Sequence, residues 1–192
     1  MNELFNIKDR VVVLTGGTGV LGKAIALYLA KQGAKVVVMG RRVEAGEAIV
    51  KQIREEGGEG MFLVTDVMNQ AVVEQNLADV LAQYGRVDAL LNAAGGNMPG
   101  ATIAPTGTFF DLKAEEFQRV LDLNLTGTVI PTQVFLRPMV EQGKGCVVNF
   151  SSMAAFRVSA ETKTLLSKIW STNESMSTLE SSFAYSLWAI WQ

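Results

Sequence analysis

The residues best suited to chemistry form a glycine-rich turn, which directly follows a run of valines and leucines near the start of the chain. The turn consists of Thr15-Gly16-Gly17-Thr18-Gly19-Val20-Leu21-Gly22. Gly16 permits a tight turn, Gly19 lets the backbone approach a phosphate, and Gly22 lets the following helix pack closely. That helix offers free N–H groups and the positive end of its dipole to a pyrophosphate. Because strand, turn and helix agree, the pattern predicts a dinucleotide site rather than a merely glycine-rich βα turn.

The residues after the second apolar run bear on which dinucleotide would bind. Sites selective for NAD usually place an acid there, to bind the ribose 2′-hydroxyl group. Here Gly40 takes the acid's place, and Arg41 and Arg42 follow it. Because a guanidinium attracts a 2′-phosphate that a carboxylate would repel, we expect NADP to be favoured, with NAD as the second choice. The alternative is that both arginines simply begin a solvent-exposed helix.

Two further segments could contact the adenosine half of such a cofactor. Asp66-Val67 follows the third apolar run, where the carboxylate could reach adenine or could instead cap the next helix. Asn92-Ala93-Ala94-Gly95 ends the fourth run, and its small residues would let the backbone lie against the cofactor. The alternative for this second segment is a plain tight turn.

The elements that must position these residues follow from hydrophobic periodicity. Apolar runs predict strands at 10–14, 35–39, 61–65, 87–91 and 146–150. Helical spacing predicts helices at 20–32, 43–56, 69–84, 113–121 and 127–142, with a long loop at 95–110. The runs lack polar alternation, which indicates strands covered on both faces. The sequence therefore predicts an α/β fold with a doubly wound, Rossmann-like parallel sheet.

Composition limits the partners and the chemistry of the 192-residue chain. A formal net charge of −2 lacks the basic footprint of a nucleic-acid-binding protein. No apolar run approaches the roughly 20 residues of a membrane span, and no signal-peptide pattern is present. We therefore expect no nucleic-acid or membrane partner and a cytoplasmic location. Histidine is absent, which excludes histidine-based zinc sites and Ser-His-Asp triads, and no metal is expected.

The character of the sequence changes near Val158. Residues 158–192 contain no glycine and no proline, serine and threonine become dense, and all three tryptophans occur there. Turn glycines separate the earlier elements, so this tail cannot be interpreted as further βα units. We expect a nucleotide-binding domain over 1–157, a divergent tail over 158–192, and a sheet that is incomplete at its C-terminal side.

Together these motifs resemble the short-chain dehydrogenase/reductase (SDR) family over about residues 5–157. The glycine turn resembles a TGxxGxxG variant of the family's TGxxxGxG motif. Asp66-Val67 resembles its adenine-site pair, and Asn92-Ala93-Ala94-Gly95 resembles its NNAG motif. The segments around Asn124 and Ser152 resemble those that carry its relay asparagine and its active serine. Pieces such as TGGTGVLG and SSMAAFR resemble the D-mannonate oxidoreductase (fructuronate reductase) branch.

The resemblance implies an NAD(P)-dependent oxidoreductase that transfers hydride to or from a small-molecule substrate, and the branch implies a keto sugar acid. It implies that Ser152 binds the substrate carbonyl and that Asn124 supports a proton relay. The family's tyrosine and lysine would fall at Leu165 and Ile169, and no Tyr-x-x-x-Lys occurs in the chain. Losing a positioned general acid costs about 10²–10⁴ in rate, so we expect negligible catalysis.

Two alternatives stay open beside an oxidoreductase. One is a catalytically dead NAD(P)-binding module, and the other is the product of a truncated or frameshifted gene. The family resemblance also implies a homo-oligomer, since family members often assemble as dimers or tetramers.

Overall fold

The computed structural model describes residues 6–103 and 107–151, so the tail at 158–192 and its predicted boundary lie outside the described residues. The strands are β1 (Val11–Thr15), β2 (Lys35–Gly40), β3 (Glu59–Val64), β4 (Ala89–Asn92) and β5 (Cys146–Asn149). The α-helices are α1 (Val20–Lys31), α2 (Val43–Glu55), α3 (Gln70–Tyr84), α4 (Ala114–Leu121) and α5 (Gly127–Glu141). All strand pairs are parallel, in the order β3-β2-β1-β4-β5. The predicted doubly wound, Rossmann-like sheet is confirmed, and its strand order reverses between β1 and β4.

Apolar side chains cover both faces of the sheet. On one face Val11 and Val13 pack in a cluster with Phe135 of α5 and with residues of α3. On the other face Val12 and Leu14 pack with residues of α1 and α2. Every residue of β1 is buried, because β1 has a strand on each side and helices on both faces. This position explains why its sequence, VVVLT, shows no polar alternation.

Asp88 fixes the amino edge of the sheet just before β4. Its carboxylate accepts the Val11 N–H at 2.9 Å, and it forms ion pairs with Arg10 at 3.2 Å and with Arg86. Burial raises the pKa of Asp88, but hydrogen bonds from Val11, Arg86 and Arg10 outweigh burial and hold the pKa below its usual value. The charged carboxylate thereby ties the start of β1 to the start of β4.

Some element boundaries differ from the predicted ones. β3 begins at Glu59 rather than at position 61, because Glu59 lies opposite Lys35 and their side chains form an ion pair at 3.2 Å. β4 begins at Ala89 rather than at position 87, and the Val87 carbonyl oxygen accepts a hydrogen bond from the Gln142 side chain at 3.0 Å. Between α4 and α5, where no helix is predicted, the chain forms a π-helical turn, Asp122–Thr126.

The described residues divide into two compact units. Residues 6–96 and Gln118–Phe150 form the larger unit, which contains the whole sheet. Residues 97–117 belong to the second unit and include two short 3₁₀-helices, Pro99–Ala101 and Phe109–Asp111. Within this second unit the Lys113 N–H donates to the Gly100 carbonyl oxygen at 2.9 Å.

Candidate functional site

A cavity of about 290 Å³ opens at the carboxyl edge of the sheet, where β1 to β4 end. In doubly wound folds this edge, at the reversal of strand order, is where ligands bind. The cavity is lined by Gly16, Thr18, Gly19, Gly40, Arg41, Arg42, Thr65, Asp66, Val67, Ala93, Ala94, Gly95 and Leu123. The glycine turn, the arginine pair and the two predicted adenosine segments therefore meet at one site.

At two positions of the glycine turn, an added side chain would collide with the backbone. Gly16 has a φ of +66°, and a Cβ there would lie 2.5 Å from the Ala93 carbonyl oxygen. A Cβ on Gly22 would lie 2.3 Å from the Gly16 carbonyl oxygen, so Gly22 lets α1 pack against the turn itself rather than only against the strand. Gly19 precedes α1 without a side-chain cap, which leaves N–H groups of the first helical turn available to an anion.

Val20 and Leu21 stand at the start of α1 and are exposed, Val20 by 94%. They do not line the cavity, and neither do Gly17 and Gly22. Gly17 instead anchors the turn, because its N–H donates to the Met39 carbonyl oxygen of β2 at 3.0 Å. Of the predicted cofactor residues of the turn, Gly16, Thr18 and Gly19 line the cavity and the others do not.

Thr15 shapes the cavity without lining it. Its side chain is fully buried, and its hydroxyl oxygen accepts hydrogen bonds from the Ala93 N–H at 3.2 Å and the Ala94 N–H at 3.1 Å. The chain leaving β4 is therefore fastened to the end of β1, which holds Ala93 and Ala94 against the cavity.

Asn92 is also buried and lies away from the cavity lining. Its side-chain amide donates to Thr132 Oγ1 and to Asn149 Oδ1, both at 2.9 Å. Asn92 thus joins β4 to α5 and β5, while the three residues after it reach the cavity.

Gly40 and the two arginines form the β2 side of the cavity. A Cβ on Gly40 would lie 2.6 Å from Thr18 Oγ1 and 2.8 Å from Thr18 Cγ2, so Thr18 occupies the space that a side chain at position 40 would need. Arg42 donates from its guanidinium to the Thr18 carbonyl oxygen. The place where NAD-selective sites carry an acid is therefore filled by a residue of the glycine turn.

Asp66 and Val67 line the cavity at the end of β3. Asp66 Oδ1 accepts the Met68 N–H at 3.0 Å, whereas α3 is capped by Asn69, which accepts the Val72 N–H at 3.2 Å. The alternative that Asp66 caps this helix is therefore wrong. Sequence reasoning missed the other lining residue here, Thr65, whose only signal is its place at the end of an apolar run.

Asn124 lies in the π-helical turn and clamps the chain that follows Gly95. Its side-chain amide donates to the Gly96 carbonyl oxygen at 2.7 Å, and its Oδ1 accepts the Gly96 N–H at 3.2 Å. The Thr128 hydroxyl donates to the Asn124 carbonyl oxygen at 2.9 Å. The predicted relay role of Asn124 stays a prediction. The predicted serine, Ser152, lies outside the described residues.

Two features of the described ranges, 6–103 and 107–151, bear on other classes of function. No group of three or more acidic, histidine or cysteine side chains there could hold a metal ion. No helix in the same ranges has both the length and the apolar character needed to cross a membrane.

The fold and the cavity are those of a protein of the short-chain dehydrogenase type. The family model described as short chain dehydrogenase matches residues 10–164. The chain therefore belongs to this family of oxidoreductases, and the match extends beyond position 157, where the resemblance was predicted to end.

Among curated proteins, the uncharacterized oxidoreductase UxuB of Bacillus subtilis is 37% identical to this chain over 159 residues. The aligned region covers 79% of this chain and 57% of the relative. The chain thus spans little more than half the length of this relative.

Two solved structures are similar in fold. One is described as a candidate D-mannonate oxidoreductase from Haemophilus influenzae with bound NAD. It is 29% identical to this chain, and the match, with a TM-score of 0.76, covers 93% of this chain and 67% of the other protein's chain. The other is an actinorhodin polyketide ketoreductase variant with NADPH. It is 32% identical to this chain, and the match, with a TM-score of 0.72, covers 80% of this chain and 57% of the other protein's chain. Similar proteins therefore include examples with either dinucleotide bound.

Proposed function

We propose that this chain binds a nicotinamide dinucleotide at the carboxyl edge of its sheet and prefers NADP to NAD. The observation that carries the proposal is the glycine turn, where Gly16 and Gly22 have no space for a Cβ and an uncapped helix start follows. Such a turn lets backbone N–H groups approach a pyrophosphate, which side chains would otherwise hold away.

The preference for NADP rests on the β2 side of the cavity. Thr18 fills the space beside Gly40, so an acid that could bind a 2′-hydroxyl has no place there without moving Thr18. Arg41, which follows Gly40 directly, brings a positive charge to the same side. A phosphate bound by a guanidinium forms charge-assisted hydrogen bonds, which are about twice as strong as neutral ones.

Calorimetric titration of the full chain with NADPH and with NADH tests both parts of this proposal. We expect NADPH to bind at least 10-fold more tightly, which corresponds to about 1.4 kcal/mol. Adenosine 2′,5′-bisphosphate should compete with NADPH better than AMP does. Absence of binding by either dinucleotide would refute the site, and tighter binding of NADH would refute the preference alone.

For the reaction, we propose descent from an enzyme that interconverts a keto sugar acid and a hydroxy sugar acid, with negligible turnover by this chain. The similarity to the Haemophilus influenzae protein supports the substrate class. A bound nicotinamide would supply the hydride chemistry. Among the residues of this chain, Asn124 clamps the backbone at Gly96, and Ser152 is the candidate to bind the substrate carbonyl. The tyrosine and lysine positions are occupied by Leu165 and Ile169, neither of which can donate a proton.

Oxidation of NADPH in the presence of fructuronate tests this second part. We expect a rate at least about 10²-fold below that of an active family member measured in parallel, from the loss of the general acid. A rate equal to that of the active member would refute the proposed inactivity. Binding without turnover would support the alternative of a dinucleotide-binding module.

A further inference from the structure

We propose that Arg42, the second of the two adjacent arginines, positions the glycine turn and does not discriminate between the dinucleotides, so that the preference for NADP proposed above falls to Arg41 alone. This division rests on the proposed dinucleotide site. The sequence gives no reason to separate the two residues, because both are arginines after the same strand.

Three contacts fasten the glycine turn to the end of β2. The Gly17 N–H donates to the Met39 carbonyl oxygen at 3.0 Å. The Thr18 side chain lies over Gly40, with Oγ1 2.6 Å from the position of a Cβ there. The Arg42 guanidinium donates to the Thr18 carbonyl oxygen. The first contact joins backbone to backbone, the second is packing, and the third is the only side-chain hydrogen bond of the set.

Arg42 is well placed for this task because it is also the residue that precedes α2. Its carbonyl oxygen accepts the Gly46 N–H at 3.0 Å and so begins the helix. Its backbone is fixed by α2, while its side chain reaches back to the turn that precedes α1. Removing the guanidinium should therefore loosen the turn, and the pyrophosphate part of any dinucleotide would lose affinity whether or not a 2′-phosphate is present.

Arg41 differs from Arg42 because its side chain does not hydrogen-bond to the glycine turn. It is exposed and lines the cavity, and within the described residues its guanidinium makes no hydrogen bond or ion pair. All of its donors are thus available to a ligand, and it follows Gly40 directly. A guanidinium in this state can bind a phosphate in a bidentate manner without first breaking a contact within the protein.

The test compares Arg41→Ala, Arg42→Ala and the control Arg54→Ala by titration with NADPH and with NADH. Arg54 also donates to a backbone carbonyl oxygen, that of Gly60, at 3.0 Å, but it lies outside the cavity lining. For Arg42→Ala we expect both affinities to fall by the same factor, about 3- to 10-fold, as for loss of one hydrogen bond. For Arg41→Ala we expect NADPH to weaken by about 10- to 100-fold and NADH by less than about 2-fold. Arg54→Ala should change neither affinity.

Two further measurements separate positioning from general damage. Arg42→Lys keeps a donor that can reach a carbonyl oxygen, so it should recover most of the affinity for both dinucleotides. Hydrogen–deuterium exchange of residues 15–22 in the free protein should become faster in Arg42→Ala and stay unchanged in Arg41→Ala.

The inference is overturned if Arg42→Ala weakens NADPH alone, if it changes neither affinity, or if Arg41→Ala weakens both dinucleotides equally. Failure of the unaltered chain to bind either dinucleotide would instead refute the proposed function. The exchange measurement in the free protein would then still decide whether Arg42 holds the turn.

Discussion

Replacing Gly16 by Ala tests whether the geometry of the glycine turn, rather than its composition, makes the binding site. At a φ of +66° an alanine costs about 1–2 kcal/mol, because its Cβ crowds the following carbonyl oxygen. The new Cβ would also lie 2.5 Å from the Ala93 carbonyl oxygen, whereas ordinary contact begins at 3.4 Å. The turn and the chain leaving β4 must therefore separate by about 0.9 Å, the difference between these two distances. Thr15 opposes that movement through its bonds to Ala93 and Ala94.

Such a displacement is large compared with the tolerance of a hydrogen bond. If it removes one charge-assisted bond to the pyrophosphate, worth about 1.5–3 kcal/mol, NADPH affinity should fall by roughly 10- to 150-fold. The matched control is Gly143→Ala, where φ is +67° but nothing lies within 4 Å of the new Cβ. The control should lose about 1–2 kcal/mol of unfolding free energy with NADPH affinity unchanged.

The assays are calorimetric titration with NADPH and urea denaturation of both variants and of the unaltered chain. The reasoning is refuted if Gly16→Ala binds NADPH as tightly as the unaltered chain, or if Gly143→Ala loses as much affinity as Gly16→Ala.

Asp88→Asn should lower the unfolding free energy by about 1–3 kcal/mol in urea denaturation, because charge-assisted bonds at the amino edge of the sheet are weakened. Because the folded-state pKa of Asp88 is lowered, its contribution to stability is present above the unfolded pKa of ~3.9 and is lost as pH falls through the folded pKa. A difference in unfolding free energy between the two proteins that does not shrink in acid would contradict this account. Thr15→Val keeps the side-chain volume but leaves the Ala93 and Ala94 N–H groups without their acceptor, so it should cost about 1–3 kcal/mol of stability and also weaken NADPH binding. Unchanged NADPH affinity in Thr15→Val would show that the chain leaving β4 does not need this anchor.

Much of the fold could be predicted from sequence because its signals are local. β1 and β2 are runs of apolar residues that are buried on both faces, and such runs have few other structural solutions. The strand at β3 was predicted too short because Gly60 has little intrinsic strand preference; its pairing with Val36 supplies what the local sequence lacks. The π-helical turn Asp122–Thr126 has no sequence signature in hydrophobic periodicity, since its five residues do not fill a repeating face.

The candidate site was predicted in part, and the division has a physical cause. Parallel strands bring their carboxyl ends to one edge, so residues that follow strands, such as Asp66 and Ala93, could be assigned to the cavity from topology alone. Sequence could not predict which side chains form hydrogen bonds within the protein and are therefore unavailable to a ligand. Thr15 and Asn92 look like cofactor residues in the motif, yet their polar atoms bond within the protein. Such partners lie up to 79 positions apart in the chain, beyond the reach of any local pattern.

Under the proposed function, dinucleotide binding and catalysis depend on different parts of this chain. Within the described residues, every part of the cavity lining comes from positions 16–123, and the anchors that shape it, such as Thr15, lie in the same larger unit. Proton transfer in the family would use positions 165 and 169, where Leu165 and Ile169 offer no ionisable group. Losing those two groups would remove stabilisation that matters chiefly during reaction, whereas the glycine turn would stabilise the bound cofactor before reaction begins. Binding should therefore survive where turnover does not, and measured turnover would mean that a group other than a tyrosine–lysine pair transfers the proton.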